Sequence, residues 1–214
     1  MAIRRRELVL GAVAAGASLA AACSKETGGS AALSDDVSLG AANAPVTLME
    51  FASVMCPICK AFHDGMWTQL KQNYIDTGKV RFVLREFPTG DMPPAVVVAA
   101  FQVARCGNAT PQQYFSRVDV FYDQQSSFFS LRSNDDVKAK LLEIGQAANL
   151  SEQQINDCIS DPTGAARMQR FSENGATLGV TGTPTLFLNG RKLDPTPGTY
   201  AELSRVLDAA IAGH

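Results

Sequence analysis

The sequence predicts an α/β fold in which a run of helices interrupts a sheet. Three observations carry this: a strand, helix, strand unit over residues 45–87, helical periods only from 93 to 178, and a closing hairpin with one more helix. "APVTLMEFAS" (44–53) concentrates Val, Leu, Met and Phe in an alternating run that suits a central strand. "ICKAFHDGMWTQLKQNYI" then places Ile58, Phe62, Met66, Leu70 and Tyr74 at helical spacing, with Gly65 weakening the middle. "DTGK" turns the chain into "VRFVLREFP", a second strand, and a strand, helix, strand order builds parallel sheets. Five helix candidates follow: "PPAVVVAAFQVARC", "PQQYFSRVDVFYDQ", "NDDVKAKLLEIGQAA", "SEQQINDCIS" and "GAARMQRFSENGATL". Ser151 with Gln154 makes a capping box, and Asn134 opens a charged-then-apolar helix. "TGTPTLFLNGRKL" restores the strand pattern around the two-residue turn signal Asn189-Gly190, and "TYAELSRVLDAAIA" is the last helix.

A chain of 214 residues, 46% hydrophobic and 19% charged, is long enough to bury a real core. Its formal net charge of -2 gives no footprint for nucleic acid and no polybasic membrane surface. The N-terminus departs from this ordinary pattern. Arg4, Arg5 and Arg6 precede "LVLGAVAAGASLAAAC", a small-residue apolar run that reads as an export signal over residues 1–22. The run is shorter and richer in Ala and Gly than the roughly 20 strongly apolar residues of a spanning helix. "AAAC" resembles a lipoprotein cleavage box, which makes Cys23 a candidate for lipidation. Leu19 stands one place early for such a box, so an ordinary signal cleaved near Ala20–Ala22 is the alternative. Residues 23–36 are polar, small and aperiodic, and read as a flexible linker.

Export gives the cysteines their meaning, because an oxidising compartment permits disulfides. Five are present, and setting Cys23 aside leaves Cys56, Cys59, Cys106 and Cys158. Cys56 and Cys59 frame Pro57-Ile58 where the first strand meets its helix, and Pro57 suits a first helical turn. Orphan backbone N–H groups and the positive end of the helix dipole favour negative charge there. The Cys56 thiolate is therefore expected to be stabilised, its pKa falling from ~8.5 into a range of roughly 3.5 to 7.5. Cys59, one turn further in, can close on it. A low-pKa thiolate leaves readily in thiol–disulfide exchange, which suits a disulfide donor. A zinc site needs four ligands, usually in two short pairs, and here the other cysteines stand far apart with only His63 and His214 to help, so no metal and no cofactor are expected. An inert staple is the other alternative, and a strand-to-helix junction is a poor place for one.

"VTLMEFASVMCPICKAFH" followed by "GVTGTPTLFLNG" resembles the DsbA-like branch of the thioredoxin superfamily, over nearly all of residues 37–211. The resemblance implies a thioredoxin fold at 37–92 and 179–214, interrupted by an inserted all-helical domain at 93–178. It implies that Cys56 is the reactive exposed cysteine and Cys59 its buried partner. Thr183-Pro184 would be the loop whose cis proline lies beside them, with the backbone of Thr183 pairing to an extended substrate. Glu50 matches a buried acid that assists proton transfer at the inner cysteine; the alternative for a lone acid in a strand is an edge position on the surface. His63 is expected on the helix surface. Two departures bear on the direction of electron flow: Ile58 stands where many oxidases of the branch have His, and Thr183 stands where some have Val.

Cys106 and Cys158 are expected to pair rather than to remain buried free thiols, given export, and relatives of this branch include members with a second disulfide in the helical domain. The activity implied is thiol–disulfide exchange that donates disulfides to exported proteins in the periplasm, by a monomer, with a quinone-linked DsbB-like membrane protein as oxidant. The alternatives are a disulfide isomerase or reductase kept reduced by a membrane donor, and a non-catalytic peptide-binding chaperone.

Overall fold

The computed structural model of the chain describes residues 31–213. The expected export leader and Cys23 lie outside the described residues. Within them a five-stranded sheet is formed by β1 (Val37–Leu39), β2 (Val46–Ala52), β3 (Val80–Glu86), β4 (Thr185–Leu188) and β5 (Arg191–Lys192), in the spatial order β1-β3-β2-β4-β5. β2 and β3 pair in parallel through α1 (Pro57–Leu70), which ends in a wider π turn at Lys71–Ile75. β1, β4 and β5 join antiparallel, and Asn189 and Gly190, at φ +47° and +79°, make the tight turn between β4 and β5. The helix α8 (Tyr200–Ala212) closes the chain.

β1 is a strand that the sequence reading did not contain. Residues 31–36, expected as linker, are held by the same neighbourhood: Arg85 binds Asp36 at 2.7 Å and the Ala31 carbonyl at 2.7 Å, while Arg170 binds Asp35 at 2.6 Å. Two acids facing two arginines, one on the sheet and one on α7, dock a segment whose composition alone reads as loose.

Between β3 and β4 lie six helices rather than five: α2 (Pro94–Arg105), α3 (Pro111–Asp123), α4 (Gln125–Phe129), α5 (Asn134–Ala147), α6 (Glu152–Ser160) and α7 (Thr163–Thr177). The reading of "PQQYFSRVDVFYDQ" as one helix missed the short α4 that begins at Gln125. Capping boxes start α3, α5, α6 and α8; for α5 the cap is Ser133 with Asp136. Such boxes satisfy two orphan N–H groups each, so helix starts were legible locally.

Strand alternation sorts β2 into two faces. Val46, Leu48, Glu50 and Ala52 point one way, and Met49 and Phe51 the other. The first face joins Phe82, Leu84, Leu186 and the buried side of α1 and α8 in the main core, which continues into the helical insertion. The second packs with Val83, Phe187 and Val180. Glu86, fully buried at the end of β3, ties the insertion to the sheet: it pairs with Arg105 of α2 and with Arg167 of α7 at 2.9 Å, and accepts from Tyr114 of α3 at 3.1 Å. A disulfide joins Cys106 after α2 to Cys158 in α6, across a sequence separation of 52.

Candidate active site

Cys56 is the N-cap of α1, with Pro57 in the first helical position. Its cap position puts the sulfur against the free N–H groups of the first turn, those of Ile58 and Cys59. The thiol of Cys59 donates to it as well, and Cys56 Sγ sits 3.5 Å from the carbonyl oxygen of Thr183. The Cys59 thiol first, then the Thr183 hydroxyl and those two N–H groups, hold the Cys56 pKa down at about 5 against the opposing effect of burial. Cys59, with no exposed surface, has its own pKa pushed far up by burial and by its donation to Cys56. The two sulfurs are free here, so this is the reduced pair, one sulfur an anion and the other a thiol at neutral pH.

Two segments brace Cys56. The loop after β3 passes so close that a Cβ on Gly90, at φ +117°, would stand 2.1 Å from the Met55 carbonyl oxygen, so only glycine fits. Gln125, buried at the start of α4, donates to the carbonyls of Val54 at 2.7 Å and Cys56 at 3.1 Å. The helical insertion thus reaches into the strand-to-helix turn and satisfies two of its carbonyls. The Thr183-Pro184 bond is cis, and the Thr183 hydroxyl pairs with that of Thr89 at 2.6 Å. Sequence reasoning missed Gly90, Gln125 and Thr89. "TG" in "FPTGDM" is a turn signal that marks the first, whereas nothing local marks a glutamine that acts 69 residues away.

Glu50 lies in the middle of β2, opposite Leu84 and Leu186, and is 5% exposed. It is therefore a buried acid and not a strand-edge surface one. Burial, and then the negative charge of Cys56, raise its pKa to about 8, so the carboxyl is mostly protonated at neutral pH. Two positions differ from the helical stripe and surface expected for α1. Ile58 is 66% exposed, out of the core that takes Phe62, Met66, Leu70 and Tyr74. With Met66, Thr183, Pro184 and Tyr200 it walls an open groove of about 520 Å³ beside Cys56. His63 is packed instead of solvated, 5.6 Å from the Trp67 ring and 4.7 Å from that of Tyr122, and burial drives its pKa down to about 4. The insertion covers that side of α1, which no periodicity in α1 could reveal. Among the described residues no cluster of three His, Cys, Asp or Glu is placed to hold a metal ion.

Comparison with known proteins agrees with this arrangement. The sequence profile of the thioredoxin family matches residues 33–209. The "Putative protein-disulfide oxidoreductase" of Rickettsia bellii is 28% identical over 182 residues, 83% of this chain and 65% of that protein. This chain spans 60–65% of the length of the Rickettsia relatives it matches. The "Probable disulfide bond formation protein D" of Bacillus anthracis is 25% identical over 183 residues, 84% of this chain and 80% of that one. The crystal structure of Wolbachia pipientis α-DsbA1 superposes with a TM-score of 0.74 at 24% identity, over 85% of this chain and 94% of its own. With a parallel βαβ unit, a helical insertion, and a Cys-X-X-Cys helix start facing a cis proline, the chain belongs to the thioredoxin family.

Proposed function

We propose that the protein is an exported thiol–disulfide oxidoreductase that donates the Cys56–Cys59 disulfide to other exported proteins in the periplasm. The observation that carries this is the asymmetry of the pair. Cys56, 7% exposed rather than the exposed residue the resemblance implied, is held as a thiolate next to the groove that Ile58, Thr183 and Pro184 line. Cys59, with no exposed surface, is kept as a thiol. In the oxidised form a substrate thiolate attacks Cys56 Sγ, the Cys56–Cys59 bond breaks, and its electron pair passes to Cys59. A buried sulfur anion is disfavoured, so Cys59 takes a proton, and the protonated Glu50 carboxyl is the group suited to give it. A second substrate thiolate then attacks the substrate's own sulfur and expels Cys56, a good leaving group because its thiolate is stable near neutral pH. The substrate dithiol loses two electrons and the enzyme pair gains them.

The groove beside Pro184 gives the substrate its place. Ile58, Met66 and Tyr200 offer apolar surface, and an extended chain can reach the backbone of Thr183. Reoxidation requires an oxidant, for which a quinone-linked DsbB-like membrane protein is the expected class. The Cys106–Cys158 bond serves the helical insertion as a structural tie. Cys59→Ala should trap substrate on Cys56 as a mixed disulfide, detected by mass spectrometry after mixing with a reduced unfolded dithiol protein. Cys56→Ser should trap none and oxidise none; persistent dithiol oxidation by Cys56→Ser contradicts the proposal and leaves peptide binding as the function of the groove.

A further inference from the structure

The hydroxyls of Thr89 and Thr183 stand 2.6 Å apart and join two segments separated by 94 residues. Thr89 belongs to the loop after β3, and that loop is fixed to the turn that carries Cys56. Phe87 donates its N–H to the Ala52 carbonyl at 2.8 Å, Asp91 donates to the Met55 carbonyl at 3.3 Å, and Gly90 lies against that same carbonyl. Thr89 is drawn back by its own N–H, which donates to the Phe87 carbonyl at 2.9 Å. Thr183 is held from its other side, where the Thr185 hydroxyl donates to the Gly182 carbonyl at 2.7 Å. From that place the Thr183 hydroxyl reaches both Cys56 and Cys59. Thr89 is not among the residues that wall the substrate groove.

A hydroxyl carries one proton and two lone pairs. The Thr89–Thr183 contact fits donation in either direction, but the two directions differ for the cysteines. If Thr183 donates to Thr89, it has only lone pairs to turn toward sulfur, and a thiolate has no proton to give them. If Thr89 donates, the Thr183 proton is free for the sulfur. A hydrogen bond to an ionised acceptor is roughly twice as strong as one between neutral groups, so the anion of the reduced pair decides the direction. We infer that Thr89 is a positioning residue for the cysteine pair: its hydroxyl donates to that of Thr183 and so turns the single Thr183 proton onto the Cys56 sulfur when the pair is reduced. The inference rests on the reading of Cys56 as the exchanging sulfur.

In the oxidised protein neither sulfur is charged, and the Thr183 proton can return to Thr89 without loss of the contact. The hydrogen bond thus serves both states while its direction follows the cysteines. In the reduced protein the two hydroxyls form a chain that ends on an anion, and each link polarises the next. Thr89 in this way supports the thiolate that leaves the mixed disulfide, from a loop outside the groove. The titratable groups that face Cys56 are Cys59 on its own helix, Glu50 on β2 and Tyr122 on α3. A change at Thr89 leaves all three in place. Both threonines are half-buried, so valine, which keeps the shape of threonine and removes the hydroxyl, also keeps water from taking the hydroxyl's place.

The test compares the intact protein with its Thr89→Val, Thr89→Ser and Thr183→Val variants and with the Thr89→Val, Thr183→Val double variant. The Cys56 midpoint is read from thiolate absorbance against pH, and the equilibrium between oxidised and reduced protein is measured in glutathione buffers at pH 7. Thr89→Val should raise the midpoint by about half to one unit and shift the equilibrium about threefold to tenfold toward the oxidised form. Thr89→Ser, which restores the hydroxyl, should match wild type. Thr183→Val should raise the midpoint by itself, and Thr89→Val should add nothing to it, because the two act through one proton. If Thr89→Val does not fold, Thr89→Ala carries the same expectation. An unchanged midpoint and equilibrium in Thr89→Val, beside a wild-type midpoint near 5, overturns the inference and leaves the exchange reading standing. A wild-type midpoint at the ordinary 9.0 overturns both. An effect of Thr89→Val that serine does not rescue, or that persists in full beside Thr183→Val, makes Thr89 a packing residue and overturns the inference.

Discussion

Replacing Cys59 with alanine removes the largest single influence on Cys56, because the thiol of Cys59 heads the groups that hold Cys56 at about 5, well under its ordinary value of 9.0. A hydrogen bond to a charged group contributes about 1.5–3 kcal/mol, and one pKa unit is ~1.4 kcal/mol. The titration midpoint of Cys56 should therefore rise by about one to two units, to between about 6 and 7. At pH 7 the thiolate fraction falls from about 99% to somewhere between about 50% and 90%. The stability of the reduced protein follows with a definite sign. A folded pKa under the unfolded one makes a contribution that is full above the ordinary value, ~9, and disappears as pH falls through the folded value, about 5. In Cys59→Ala that loss should still begin at ~9 but be complete one to two units higher, so the whole contribution is smaller. The assay is the ultraviolet absorbance of the thiolate against pH in reduced wild type and variant; Cys59 itself ionises too high to interfere. A midpoint that stays near 5 refutes the reasoning, since the backbone N–H groups and Thr183 would then hold the anion without Cys59.

Glu50→Gln should remove a slope from the pH dependence of stability. A raised folded pKa gives stability that is complete below the unfolded value, 4.5, and is lost as pH climbs through about 8; urea unfolding should show this loss in wild type and not in the variant. Replacing Cys106 and Cys158 together with alanine opens a loop of 52 residues, which the chain-entropy treatment rates at about 4 kcal/mol, readable from guanidinium unfolding. Gly90→Ala forces a Cβ onto the Met55 carbonyl at a φ of +117°; a loss of about 2 kcal/mol or more is expected, and a variant as stable as wild type would mean that the loop yields freely.

What could be read from the sequence and what could not divides along a physical line. Cys56, Pro57 and Cys59 were legible because their chemistry is local: a proline at a helix start, a strand before it and two thiols one turn apart. Glu50 was legible as an anomaly, one acid in an apolar strand, and its burial against Leu84 and Leu186 follows from the period of two. The capping boxes at Ser151 and the turn at Asn189-Gly190 were legible for the same reason. Features made by distant segments were not. β1 is three residues long and exists through its pairing with β3. Ile58 continues the apolar spacing of α1, yet faces the groove, because the stripe reaches the surface where the helix begins. His63 and Trp67 are covered by α3, and Gln125 acts on Cys56 from α4; no pattern within α1 carries that information.

The central claim is that the Cys56–Cys59 pair gives disulfides away, and its redox state in living cells tests this most directly. Cells expressing the full chain are quenched in acid, free thiols are alkylated with a heavy maleimide, and the protein is resolved by mass. A donor of disulfides is held ready by its oxidant, so the account predicts that Cys56 and Cys59 are found mainly joined. A pair found mainly as free thiols contradicts it and assigns the protein to isomerisation or reduction.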